Sequence, residues 1–307
     1  MKRTTILMYV VILLVATAAM AQNGNSDNWR IRGDNGELVK VLPPPAMAKA
    51  DTSNPTFAPV NDGGSFLQTS LASYGTVPGH LDNHGGGVMA SNNKVFSIFY
   101  TADTANKLQS TITGFIGAFS GTSPGMTTLG QYGVASTISN SGTYTDPTNT
   151  APRSISDSQI QSYIGSLFTA GKVAVDTSTI YGVYLPQGTK STNGSSASCR
   201  NYCGYHGSFT YSGKTIKYAV YPYLDCSGCS LSGASVNDMI TVVTSHEIRE
   251  ALTDPVNAWW ETASGYEADD KCAWHNLYRI SGYLVQPEFS NSDTAPGQSK
   301  PGACVFP

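Results

Sequence analysis

The sequence predicts a mixed α/β or α+β fold, braced by disulfides and organised around one long helix. Three observations predict it. Strand-like and helix-like segments alternate through residues 81–307, which favours layered α/β or α+β packing over a pure β sandwich. A helical pattern of apolar residues runs from about Ser235 to Leu252. Six cysteines lie between Cys199 and Cys304, and an even number in an exported chain reads as a disulfide framework.

The elements follow in order. Residues 22–80 hold Pro43-Pro44-Pro45 and many Gly, Asn, Asp and Ser, so they read as a low-complexity, propeptide-like lead-in. Lys94 to Tyr100 is rich in β-branched and aromatic residues and reads as a buried strand. Over residues 103–119, Leu108, Ile112, Phe115, Ile116 and Phe119 share one helical face. A second helix is expected from Ser156 to Ala170, opened by Ser156-Asp157 and closed near Gly171. Ile180 to Pro186 and Lys217 to Pro222 read as strands, and the long helix comes next. A short strand is expected at Tyr283 to Gln286. Residues 81–307 are read as one domain.

The N-terminus has the order of a secretory signal. Met1-Lys2-Arg3 is basic, Ile6 to Ala19 is apolar, and Ala19-Met20-Ala21 offers a cleavage site. The expected signal peptide is residues 1–21. Its apolar run is short of the ~20 residues a membrane helix needs, so no membrane span is expected after cleavage. The destination is extracellular or periplasmic. The expected pairing joins Cys272 with Cys304 and leaves the other four to pair among themselves. A four-thiolate zinc knuckle of Cys199, Cys203, Cys226 and Cys229 is the alternative. Charged residues make up 13% of the chain and the net charge is -3. That leaves no basic field for nucleic acid and no polybasic patch for lipid.

Chemistry concentrates in Thr244-Ser245-His246-Glu247-Ile248-Arg249-Glu250-Ala251-Leu252-Thr253-Asp254-Pro255. On a helix, His246 and Glu250 share a face, and Met239 and Val243 mark that face as inward. A carboxylate turned inward is costly unless something pairs with it, and a divalent cation does so. Glu247 sits where His-Glu-x-x-His metallopeptidases keep their general base. Four of the six glutamates (Glu247, Glu250, Glu261 and Glu267) fall in this region. The third ligand is expected from Glu267 or Asp270, the other then orienting a ligand from behind; the spacing does not order them. His206 is an outside candidate for a second imidazole, or else a hydrogen-bonded residue of a disulfide loop. The competing reading makes His246 a core histidine and Arg249 and Glu250 solvated surface. Trp259-Trp260 either lines a substrate cleft or packs in the core. The expected cofactor is Zn2+, with another divalent ion as alternative because a carboxylate-rich set is hard. The expected activity is zincin-like hydrolysis of a peptide. The alternative is a non-enzymatic protein that binds cell-wall polymer or a partner and carries a structural metal.

These motifs, with His84-Gly85-Gly86-Gly87-Val88-Met89, Ile180 to Tyr184, Cys203-Gly204-Tyr205-His206-Gly207, Asn257-Ala258-Trp259 and Val285 to Asn291, resemble the plant EXORDIUM or phosphate-induced protein 1 family and its bacterial relatives. The resemblance covers about residues 80–307. It implies an extracellular protein, in plants associated with the cell wall and growth control. It also implies a His-Glu-x-x-Glu motif followed by an acid-rich Cys segment. Glu267-Ala268-Asp269-Asp270 departs from the family pattern, where a small apolar residue and Gly stand between the acids.

Overall fold

The computed structural model describes residues 30–32, 38–45, 79–100, 103–148, 151–294 and 301–306. The expected signal peptide lies outside the described residues. Seven strands form the main sheet, labelled here in chain order. They are β1 (Arg30–Arg32), β2 (Leu38–Leu42), β3 (Asn93–Phe99), β4 (Ile138–Thr145), β5 (Thr179–Tyr184), β6 (Gly204–Tyr211) and β7 (Lys214–Tyr221). Their order across the sheet is β1-β2-β6-β7-β5-β3-β4. The pairs β7/β5, β5/β3 and β3/β4 are parallel; β1/β2, β2/β6 and β6/β7 are antiparallel. The fold is therefore mixed α/β.

Helices cover both faces. Helices α1 (Asp103–Phe119) and α3 (Val236–Thr253) pack on one side with Val95, Phe99, Ile180, Tyr184 and Tyr221. Helix α2 (Asp157–Thr169) packs on the other with Ile98, Tyr181, Val183, Tyr218 and Val220. Alternate residues of β5 thus serve opposite cores, and every residue of β5 is buried, as a central parallel strand requires. Both α2 and α3 start in capping boxes, Ser156 with Gln159 and Ser235 with Asp238. Each box satisfies backbone N–H groups that the first helical turn leaves without partners.

Three outcomes differ from the sequence reading. The ordered fold recruits part of the lead-in, because β1 and β2 extend the sheet beyond β6. The signal is weak locally: Leu38–Leu42 is only five residues long and sits among turn formers. Strands β4 and β6 were also not expected; β4 is largely polar, and β6 carries two glycines. Finally, α3 is buried all round from Met239 to Thr253, not along one inward stripe, because the C-terminal segment wraps its outer side through Tyr283–Val285.

All six cysteines are in disulfides: Cys199–Cys226, Cys203–Cys229 and Cys272–Cys304. The expected pairing of Cys272 with Cys304 holds. The zinc knuckle is excluded because the four sulfurs are spent on one another. Disulfides belong to an oxidising compartment, which fits an exported protein. Among the described residues no helix is long and apolar enough to cross a membrane. The Cys272–Cys304 bridge closes a separation of 32 residues. Replacing both cysteines by serine is expected to lower stability by about 3–4 kcal/mol, from restored loop entropy in the unfolded chain. Urea unfolding of the double variant measures it, and a loss below ~1 kcal/mol would contradict it.

Candidate metal centre

The His-Glu-x-x-Glu motif lies on the second half of α3, where the helix presses against β6. Gly204 makes that approach possible. A Cβ there would collide with Val243 and stand 2.8 Å from Glu247 Oε1. Strand alternation then divides the labour of β6. Tyr205 turns toward α2, where its hydroxyl and that of Tyr218 donate to Asp157 Oδ1 at 2.8 and 2.7 Å. The next residue, His206, turns toward α3 and is 1% exposed. Beyond it, Lys40 of β2 is the direct cross-strand partner of His206.

After α3 the chain turns at Asp254 and returns through residues 265–272. Gly86 fits against this turn. Its N–H donates to Asn257 O at 2.8 Å, and a Cβ would collide with that same carbonyl. The returning segment brings the acids back. Asp270 N–H donates to Glu250 Oε1 at 3.0 Å, and Glu267 N–H donates to Asp270 Oδ2 at 2.8 Å. Asp269 is drawn off to the far side, where Arg249 grips both its carboxylate oxygens.

All the expected site residues come together. His246 Nε2 is 3.1 Å from Glu250 Oε2 and 3.6 Å from Asp270 Oδ1. His206 Nδ1 is 3.2 Å from Glu247 Oε2 and 3.7 Å from Glu250 Oε2. Glu267 lies on the other side of the His206 ring, with Oε1 3.6 Å from Nε2 and 2.9 Å from Lys40 Nζ. Lys40 also donates to the backbone oxygen of Asp254 at 2.7 Å and pairs with its carboxylate. Two sets emerge, His246–Glu250–Asp270 and His206–Glu247–Glu250, with ligand atoms mutually within 4.8 Å in each. Glu267 belongs to neither and is held by Lys40.

The electrostatics suit a cation. His246, Glu247, Glu250 and His206 are at most 1% exposed. Neither ring nitrogen of His246 has an aligned hydrogen-bond partner, and the same holds for His206 Nε2 and Glu247 Oε1. Buried polar atoms left without partners are costly and call for a ligand, an ion or water. Burial pushes the His246 imidazole down to about 4, so at neutral pH it is the neutral, ligating form. Burial opposes charge on His206, but Glu267 and Glu247 outweigh it and raise its pKa. Burial drives the carboxyls of Glu247 and Glu250 well above the usual range, Glu250 being pushed further by Glu267 and Asp269. A dication reverses that shift by favouring the anions.

The reading of Arg249 and Glu250 as solvated surface is overturned, since both are buried. Lys40 and Asp254 were not expected in the site. Asp254 was visible at the end of the motif; nothing local marked Lys40. Trp259 and Trp260 are half-buried; Trp260 stacks on His84 with ring centroids 3.6 Å apart, and Trp259 tilts against Tyr132 at 5.3 Å. No family model, curated protein or solved structure matches this chain.

Proposed function

We propose that the chain is an exported, metal-dependent hydrolase of zincin-like type acting on peptide bonds. His246, Glu250 and Asp270 would hold Zn2+ or another divalent ion. The observation that carries this reading is the buried His246 Nε2, without an aligned hydrogen-bond partner, with Glu250 Oε2 and Asp270 Oδ1 at 3.1 and 3.6 Å. Asp270 is preferred to Glu267 as third ligand because Lys40 already engages Glu267. The zincin-like description rests on the motif-bearing helix α3 packed beneath a mixed sheet. The resemblance of its motifs to the EXORDIUM or phosphate-induced protein 1 family supports the exported part of this reading.

A divalent ion held there would supply a water whose pKa is lowered toward neutrality. The chain supplies the proton acceptor. Glu247 is fixed through Oε2 by His206 Nδ1, while Oε1 has no partner. One oxygen is thus held and the other is open to receive a proton. Burial raises the proton affinity of this carboxyl, which suits a general base. Asp270, 6% exposed, and Lys40, 9% exposed, are the members of the cluster nearest solvent, so substrate would approach from their side.

Glu247→Gln tests the assignment. The variant is expected to keep its metal and to lose peptide hydrolysis by a factor of about 100 or more. Retention of full activity would remove Glu247 from the mechanism. One observation favours a second reading. The near-complete burial of His246, Glu247 and Glu250 suits a structural ion in an extracellular protein that binds wall polymer or a partner. In that case the wild type hydrolyses no peptide, while chelation still lowers its melting temperature.

A further inference from the structure

Two ligand sets share Glu250, and both imidazoles approach its Oε2, His246 Nε2 at 3.1 Å and His206 Nδ1 at 3.7 Å. The first set, His246, Glu250 and Asp270, would hold the catalytic ion of the proposed hydrolase. The second joins His206 from β6 to Glu247 and Glu250 from α3. All three of its residues are at most 1% exposed. Glu247 Oε1 is buried without a hydrogen-bond partner, which marks this half of the cluster as under-satisfied independently of His246.

Charge points the same way. Around the two imidazoles stand Glu247, Glu250, Asp254, Glu267 and Asp270, all buried, with Lys40 pairing with Asp254 and Glu267 and the His206 ring lying against Glu247, Glu250 and Glu267. Five carboxylates against one ammonium leave an excess of four negative charges when all are ionised and both imidazoles are neutral, the form in which they ligate. One divalent ion halves that excess and a second removes it. Uncompensated buried charge is strongly disfavoured. Lys40 also holds Glu267 and Asp254 aside, so neither competes for the ligand positions.

We propose that the cluster holds a second divalent cation at His206, Glu247 and Glu250, with Glu250 bridging it to the ion at His246 and Asp270. This rests on the metal-site reading above. Shared use of one carboxylate and repulsion between two dications make the second site the weaker. A bound ion there engages Glu247, the proton acceptor, so its occupancy inhibits hydrolysis instead of assisting it.

The experiment is equilibrium dialysis of the full mature chain against rising zinc chloride, with bound zinc counted by mass spectrometry. Wild type is expected to take up about two zinc ions per chain, the second with at least about tenfold weaker affinity. His206→Gln is expected to lose the weak ion alone, and Glu250→Gln to lose both. Circular dichroism checks that each variant is folded. Should a variant fail to fold, cobalt substitution of the wild type decides instead. Two cobalt ions bridged by a carboxylate couple magnetically, and uncoupled spectra would overturn the bridge. Uptake stopping at one zinc, lost equally in His206→Gln and His246→Gln, would mean a single ion between both imidazoles. That result overturns this inference and leaves the hydrolase reading standing. No zinc uptake at all would overturn both.

Discussion

Replacing Arg249 by methionine is expected to destabilise the protein by about 3–5 kcal/mol, the cost of removing one partner from a buried ion-pair network. The guanidinium is fully buried. It donates to both carboxylate oxygens of Asp269, with Nε to Oδ2 at 3.0 Å, and lies 2.8 Å from Glu288. It also donates to the backbone oxygens of Gly125 and Gln286 at 3.2 and 3.1 Å. Phe119 lies beneath it, 5.5 Å from ring centroid to guanidinium carbon. Methionine keeps much of the volume but strands two buried carboxylates. Urea unfolding gives the measurement, read as a shift in midpoint at unchanged slope. Arg249→Lys should fall between, since an ammonium keeps the charge and loses the planar fork. A cost below ~1 kcal/mol for methionine would mean that Asp269 and Glu288 find other partners. The effect should reach the candidate metal centre, because Asp269 is the chain neighbour of Asp270 and its anchorage sets where Asp270 can stand.

Glu250→Gln is expected to abolish metal-dependent stabilisation. A ligand at about 100 times its dissociation constant stabilises the native state by about 2.7 kcal/mol. For a domain of this size that corresponds to a rise in melting temperature of roughly 5 °C or more. Zinc should raise the wild-type melt by that amount and leave Glu250→Gln unchanged. Glutamine has nearly the same shape and removes a buried acid from a crowded set, so the variant should melt no lower than metal-free wild type. An equal response to zinc in both proteins would take Glu250 out of the ligand set. A variant that melts much lower would show a structural role for the carboxylate, since Glu250 Oε1 accepts from Asp270 N–H.

The sequence by itself determined the local elements and the chemical vocabulary of the site. The apolar spacing from Met239 onward marked the helix that the structure shows at Val236–Thr253, since that signal is written within a few turns. Segments rich in β-branched and aromatic residues placed β3, β5 and β7. His246, Glu247 and Glu250 were legible because i, i+4 spacing on a helix fixes a shared face. The cysteines were legible as disulfides, and one pairing with them.

Tertiary structure decided the rest, because it depends on contacts between distant residues that leave no local period. Lys40 reaches Asp254 across 214 positions and Glu267 across 227, through a five-residue strand that reads as loop on its own. His206 enters the cluster only because Lys40, Tyr205 and Asp157 fix the register and face of β6. Asp270 stands with His246 while Glu267 turns to Lys40, a choice the spacing of the two acids could not make. Arg249 looked like helix surface because four-residue spacing reports which side chains share a face, not what covers that face. The chain after Asp254 covers it, and that return converts an exposed-looking charge into the anchor of the acid segment.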